Sequence, residues 1–199
     1  MAKLKGNAVV GQSGGPTVVI NQSLVGIVKA AKQREEIGKI YGAKNGVRGM
    51  LEEQFVELQD LPDRQLDAVA RTPSAALGST RDKPDEEYCS KIFEVFRKND
   101  IHYFFYIGGN DSASTAHILN GLSEKFSYDL RAVHVPKTID NDLPVTDHCP
   151  GYPSAARFVA LAVMGDNLDN KSLPGVKSDI IMGRHTGWLT AASILARQE

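Results

Sequence analysis

The sequence predicts a doubly wound α/β fold, a mostly parallel sheet with helices on both faces, and three stretches predict it by repeating one pattern. Residues 7–11, 101–107 and 130–135 are short apolar runs rich in β-branched or aromatic side chains. Each passes at once into small or polar residues: Gln12-Ser13-Gly14-Gly15-Pro16, then Gly108-Gly109-Asn110-Asp111-Ser112, then Lys137-Thr138-Ile139-Asp140-Asn141-Asp142. In an open parallel sheet the carboxyl ends of the strands are where ligands bind. Three polar turns at that edge are a candidate site.

Taken in order, residues 7–11 form a first strand and 18–32 a helix whose apolar side holds Val18, Leu24, Val25, Ile27 and Val28. Residues 39–41 are a second strand. They lead into Gly42, Gly46 and Gly49, which predict a loop. Leu61-Pro62-Asp63 opens a short helix. Pro84 opens another to about Lys98, with Tyr88, Ile92, Val95 and Phe96 on one side. The nearly all-apolar run 101–107 is a central strand in which His102 has a structural place, and 113–122 is a helix. Beyond the strand 130–135, residues 154–168 are helical, 169–177 a loop, 178–182 a short strand, Gly183-Arg184-His185-Thr186-Gly187 a turn, and Trp188 onward a helix that continues to Glu199. Pro144 and Pro150 bracket polar residues, so the expected division is 1–145 and 146–199, the second domain only partly present.

Composition excludes several classes. Twenty-three basic and 24 acidic residues leave a net charge of −1, so nothing draws the whole chain to nucleic acid or an anionic membrane, and anion binding must be local. Two distant cysteines, Cys89 and Cys149, indicate neither a disulfide framework nor a structural zinc site. Ala8-Val9-Val10 is too short for a signal-peptide core and no run approaches a membrane span, so a cytoplasmic protein is expected.

The chemistry on offer is anion binding and proton transfer. Glycine turns aim backbone N–H groups and a helix's positive end at an anion. The spacing around Gly11, Gly14 and Gly15 is not the dinucleotide fingerprint, and no P-loop Gly-Lys-Ser/Thr occurs. Lys39 and Lys44 stand where a ribose-binding acid would be. Gly78-Ser79-Thr80-Arg81 adds a small-residue loop with one arginine. Read singly, each of these is also an ordinary turn, and Asp140-Asn141-Asp142 is a common turn composition.

In combination these residues resemble the phosphofructokinase family. Ser13-Gly14-Gly15, Gly78-Ser79-Thr80-Arg81, Gly108-Gly109-Asn110-Asp111-Ser112, Pro136-Lys137-Thr138-Ile139-Asp140-Asn141-Asp142 and Met182-Gly183-Arg184 stand in the family's order, and Thr138-Ile139-Asp140-Asn141-Asp142 separates it from other double-glycine kinases. The resemblance implies a phosphofructokinase-like fold and transfer of a phosphoryl group to the 1-hydroxyl of fructose 6-phosphate, giving fructose 1,6-bisphosphate. It implies that Asp140 is the general base and that Thr138, Ile139, Asp140, Met182, Gly183 and Arg184 contact the sugar phosphate. Gly14 and Arg81 would hold the phosphoryl donor, and Asn110 and Asp142 the Mg²⁺.

Two residues resemble the pyrophosphate-dependent branch. ATP-dependent members carry glycine where this chain has Asp111 and Lys137. A carboxylate at 111 would crowd and repel a nucleotide's α-phosphate, and Lys137 can follow the transferred phosphoryl group, so the two are read as a coupled catalytic pair. Asp111→Gly is expected to weaken pyrophosphate use and admit some ATP. The reaction would be close to reversible. Asn110 departs from the usual aspartate, giving the metal a neutral oxygen. Residues 174–178 lack an arginine that in relatives reaches a neighbouring subunit, and only Lys177 is near.

The resemblance spans the chain, yet the chain corresponds to the N-terminal half of the family's length, and the full-length form would be a homo-oligomer. Two alternatives stand beside this reading: an ATP-dependent phosphofructokinase, and a non-catalytic phosphate-binding fragment or regulatory chain. Retention of Asp140 argues against the last, because binding alone needs no base.

Overall fold

A computed structural model describes residues 4–173 and 175–197. The chain divides into two compact units, Met1–Lys137 and Thr138–Glu199.

The first unit is built on β1 (Gly6–Gln12), β2 (Ile37–Ala43), β3 (Phe55–Glu57), β4 (Ile101–Gly108) and β5 (Arg131–Pro136). They form one sheet in the order β3-β2-β1-β4-β5. β1 runs parallel to β2 and β4, and β4 parallel to β5; only β3 is antiparallel. With a strand on each side and helices above and below, β1 has no solvent face, which is why it reads as a continuous apolar run.

Successive side chains of a strand point to opposite faces. Val10, with Ile40 and Ile107, packs against α1 (Ile20–Ala31) and α3 (Asp63–Arg71) through Ile20, Leu24, Val25, Val28 and Leu66. Val9, with Phe104 and Tyr106, packs against α2 (Val47–Leu51), α4 (Glu86–Lys98) and α5 (Asn110–Lys125) through Met50, Cys89, Ile92, Phe93, Phe96 and Leu119. The doubly wound expectation holds. α4 also starts as a helix should: Asp85 caps it by accepting from the Tyr88 N–H at 2.9 Å, with Glu86 and Glu87 in the first turn and Arg97 and Lys98 in the last.

From β1 the chain moves outward to β2 and β3, then returns to β4 on the other side of β1. The strand order therefore reverses between β1 and β4, and the crevice at their carboxyl ends is the binding edge of such a sheet.

Several local expectations are corrected. The glycine-marked loop after the second strand contains α2, because Gly46, at φ +59°, turns the chain into a short helix. α5 begins at Asn110 instead of 113, so Asn110, Asp111 and Ser112 belong to a helix's first turn and not to a loop.

The second unit contains α6 (Tyr152–Ser172), α7 (Trp188–Ala192) and a 3₁₀ turn (Ser193–Ala196). Gly151, at φ +109°, and a proline in the first turn start α6. A small core gathers Ala156, Leu189 and Ala192 with Ile139, Tyr152, Ala155 and Ile181. α6 runs four residues beyond the expected 168, into the predicted loop, of which Pro174 lies outside the described residues.

Residues 178–182 are not a strand: no neighbouring strand supplies a ladder among the described residues, and Ile180 is 99% exposed. Nor does the last helix continue to the end. Ser193 Oγ donates to the Thr190 carbonyl at 2.7 Å, the final turn tightens to 3₁₀, and Arg197 leaves helical geometry. Residues 198 and 199 lie outside the described residues. Among those described, no helix is long and apolar enough to cross a membrane.

Candidate active site

In the first unit the site is built on the loop after β1. Ser13 N–H continues the ladder to the Ile107 carbonyl at 2.9 Å, and Gly14 N–H donates to the Thr80 carbonyl at 2.9 Å. Ser79 Oγ returns a bond to the Gly14 carbonyl at 2.6 Å. These bonds stitch the two small-residue loops together. Gly14 sits at φ +74°, where a side chain is strained, and a β-carbon there would lie 3.1 Å from Lys137 Nζ.

Two cations flank this loop. Lys137 is 4% exposed; its backbone N–H donates to Gly108 O at 2.9 Å, and its ammonium donates to Gly15 O at 2.7 Å. Arg81 approaches from the other loop, its guanidinium 3.4 Å from where a Gly15 β-carbon would be. Gly14 and Arg81, predicted to hold the donor, and Lys137, predicted to be catalytic, therefore meet at this loop.

At the end of β4, Gly109 caps α5, and Asn110 and Asp111 occupy its first turn. Gly108 is confined by the Ser13 and Ser112 hydroxyls, which touch each other, so any β-carbon at 108 would overlap both. The Tyr106 hydroxyl is buried with no hydrogen-bond partner among the described residues, and burial pushes its pKa up to about 12. Asp111 forms an ion pair with Lys83 at 3.2 Å, a partner that the sequence alone did not indicate.

Several residues without an evident signature in the sequence hold this edge in shape. Gln12, fully buried, donates to Asn21 Oδ1 at 2.9 Å and accepts from the Leu77 N–H at 2.9 Å. Asn21 donates to the Thr72 and Ser74 carbonyls and accepts from the Ala76 N–H, fixing the approach to Gly78. An amide on the apolar stripe of α1 was the available signal. Asp82 accepts two bonds from the Arg48 guanidinium, at 3.1 and 2.6 Å, and one from the Tyr88 hydroxyl at 3.1 Å. The Arg48 bond, chiefly, holds the Asp82 carboxyl below its usual range; burial and the Asp82 contact push the Tyr88 phenol up.

In the second unit Thr138 opens the acidic loop, its N–H bonded to Pro150 O at 3.1 Å. Its hydroxyl accepts from the Asp140 N–H at 3.1 Å and donates to Asp142 Oδ1 at 3.3 Å. Thr186 Oγ1 donates to Asp140 O at 2.6 Å, tying the acidic loop to the glycine turn that carries Gly183 and Arg184. Asn141, at φ +54°, braces the loop from within, its amide accepting from Cys149 N–H at 2.7 Å and donating to Asp147 O at 3.0 Å. With the main chain pinned on both sides, Asp140 Oδ1 is buried with no hydrogen-bond partner among the described residues. A buried polar oxygen without a partner is costly, which makes it a candidate contact for a bound hydroxyl. Ile139 faces the small core, while Arg184 and Met182 are exposed.

Among the described residues no three carboxylate, imidazole or thiolate side chains gather into a metal cage. Asn110 in one unit and Asp142 in the other offer single oxygen donors. Each taken by itself is a hard oxygen donor of the kind Mg²⁺ accepts, and Mg²⁺ keeps waters and takes much of its coordination from substrate phosphates.

Residues 7–198 match the family model described as "Phosphofructokinase", and the chain belongs to that family. It is 55% identical over 194 residues to the pyrophosphate–fructose 6-phosphate 1-phosphotransferase of Rhodospirillum rubrum, covering 98% of this chain and 48% of that protein. It superposes on the crystal structure of a pyrophosphate-dependent phosphofructokinase from Nitrosospira multiformis with a TM-score of 0.88 and 41% identity, covering 97% of this chain and 50% of that one. An ATP-dependent 6-phosphofructokinase from Actinobacillus pleuropneumoniae is more distant, at 32% identity over 98% of this chain and 58% of that protein. The chain spans about half the length of the pyrophosphate-dependent relatives it matches.

Proposed function

We propose that this chain carries the phosphoryl-transfer machinery of a pyrophosphate-dependent phosphofructokinase, acting on the 1-hydroxyl of fructose 6-phosphate. The observation that carries the reading is the buried Oδ1 of Asp140, without a partner among the described residues and three positions after Lys137. Chain continuity alone keeps those two residues within about 11 Å between α-carbons.

Asp140 takes the proton of the 1-hydroxyl. The oxygen forms a bond to the terminal phosphorus as the bridging P–O bond breaks, and that bond's electron pair leaves on orthophosphate. The same groups serve the reverse reaction. General-base help of this kind is worth about 10²–10⁴-fold, with positioning and charge neutralisation contributing most of the rest. Gly14 and Arg81 bind the donor, while Lys137 follows the moving phosphoryl group. Thr138, Ile139, Met182, Gly183 and Arg184 serve the sugar phosphate.

Mg²⁺, when bound, neutralises charge on the donor oxygens; Asp142 and the Asn110 amide oxygen are the protein groups assigned to it. Pyrophosphate is favoured over ATP because Asp111 places a carboxylate at the first turn of α5, and the pyrophosphate-dependent relatives support the choice. The same reading carries a cytoplasmic setting and a homo-oligomeric full-length form.

The test is fructose 1,6-bisphosphate formation with pyrophosphate and with ATP, by this chain and by a form extended to the relatives' length. Turnover with pyrophosphate and little with ATP is expected. Preference for ATP sinks the donor assignment, and no turnover by the extended form sinks the reaction.

A further inference from the structure

We infer that Lys83 is a specificity-determining positioning residue, holding the Asp111 carboxylate where it discriminates between phosphoryl donors. The inference rests on the donor reading above and goes beyond it, since the sequence pairs Asp111 with Lys137. In the folded chain the Lys137 ammonium is at the Gly15 carbonyl, 2.7 Å away, and Lys83 Nζ is 3.2 Å from Asp111 Oδ2.

The loop that carries Lys83 is anchored for this purpose. Asp82 is turned to Arg48 and Tyr88 by three hydrogen bonds, while its neighbours Arg81 and Lys83 reach Gly15 and Asp111. One fixed carboxylate thus sets two cations on two sides of the donor edge.

Electrostatics supplies the reason. A bare carboxylate beside a polyanionic donor repels pyrophosphate as well as a nucleotide. With an ammonium 3.2 Å away, the pair is neutral at longer range yet still occupies the space next to the first turn of α5. Pyrophosphate is then tolerated and a bulkier donor remains excluded. Both side chains are at least half exposed, so the pair acts on selectivity and adds little to stability.

The experiment is calorimetric titration of the protein with pyrophosphate and, separately, with ATP, each with Mg²⁺. Lys83→Met is expected to shrink the ratio of the two dissociation constants by about fivefold, the upper range for an exposed pair, and Lys83→Arg to restore it. In an Asp111→Gly background Lys83→Met should change nothing further. A ratio unmoved by Lys83→Met, or an effect of full size in the Asp111→Gly background, overturns the inference; the second result would make Lys83 a direct donor contact. A wild-type protein without preference for pyrophosphate refutes the donor reading itself, a failure visible before any Lys83 variant is made.

Discussion

Lys137→Met should separate stability from function. Lys137 is nearly dry, and its ammonium has a 2.7 Å bond to Gly15 O. Removing the charge deletes a charge-assisted hydrogen bond, a loss of about 1.5–3 kcal/mol. It also lifts the desolvation cost of keeping an ion there, several kcal/mol, and methionine fills a similar volume. The terms nearly cancel, so urea unfolding should give a stability within about 1 kcal/mol of wild type. Pyrophosphate binding has no such offset. Truncating one side of a largely buried charge contact costs about 2–4 kcal/mol, roughly 30- to 800-fold in Kd. Calorimetric titration of the same preparations reads this directly. Unchanged pyrophosphate affinity, or destabilisation above about 3 kcal/mol, would show that the ammonium is a strut for the Gly15 loop instead of a donor ligand.

Three further outcomes are expected. Asp140→Asn should lower kcat in the extended form by about 10²–10⁴-fold and leave fructose 6-phosphate affinity within about threefold, measured by steady-state assay and titration. Asn141→Ala strands the buried Cys149 N–H and forces a β-carbon-bearing residue without a local hydrogen bond into φ +54°; a loss of about 2–4 kcal/mol is expected in urea unfolding, with Asn141→Gly recovering roughly 1 kcal/mol. Arg48→Leu tests the Asp82 anchor by pH. A carboxyl held below 3.8 adds stability that is full above that pH and is lost as pH falls through the lower folded value. The variant should therefore be less stable by at most about 1 kcal/mol at pH 7, with the gap closing as pH falls below the ordinary carboxylate range.

Features governed by near neighbours in the chain were legible in the sequence. The runs containing Val9 and Phe104 read as strands because burial on both faces of a parallel sheet leaves no alternation to obscure them, while the edge run containing Val133, itself 43% exposed, reads as one from its β-branched residues. Gly14 and Gly108 read as turn positions because backbone conformation at the first and close approach at the second demand glycine locally. The short elements were not legible: α2 and β3 hold five and three residues, too few for a period, α2 among glycines and β3 in a stretch of mixed polarity. The run 178–182 has strand composition, yet composition cannot supply the ladder partner that a strand needs.

The division within the candidate site is sharper still. The residue types came from sequence: a carboxylate at 140, a cation at 137, a carboxylate at 111 and the small loops at 14 and 81. Their partners came from the fold. Asp111 meets Lys83, 28 positions earlier, Lys137 meets Gly15, and Thr186 meets the Asp140 carbonyl. Sequence determined which charges this protein carries at its strand ends, because those residues follow directly from the local run of chain. Only tertiary structure decided which of them meet a partner and which oxygen has none among the described residues, because pairing depends on distances between loops that the linear order leaves open.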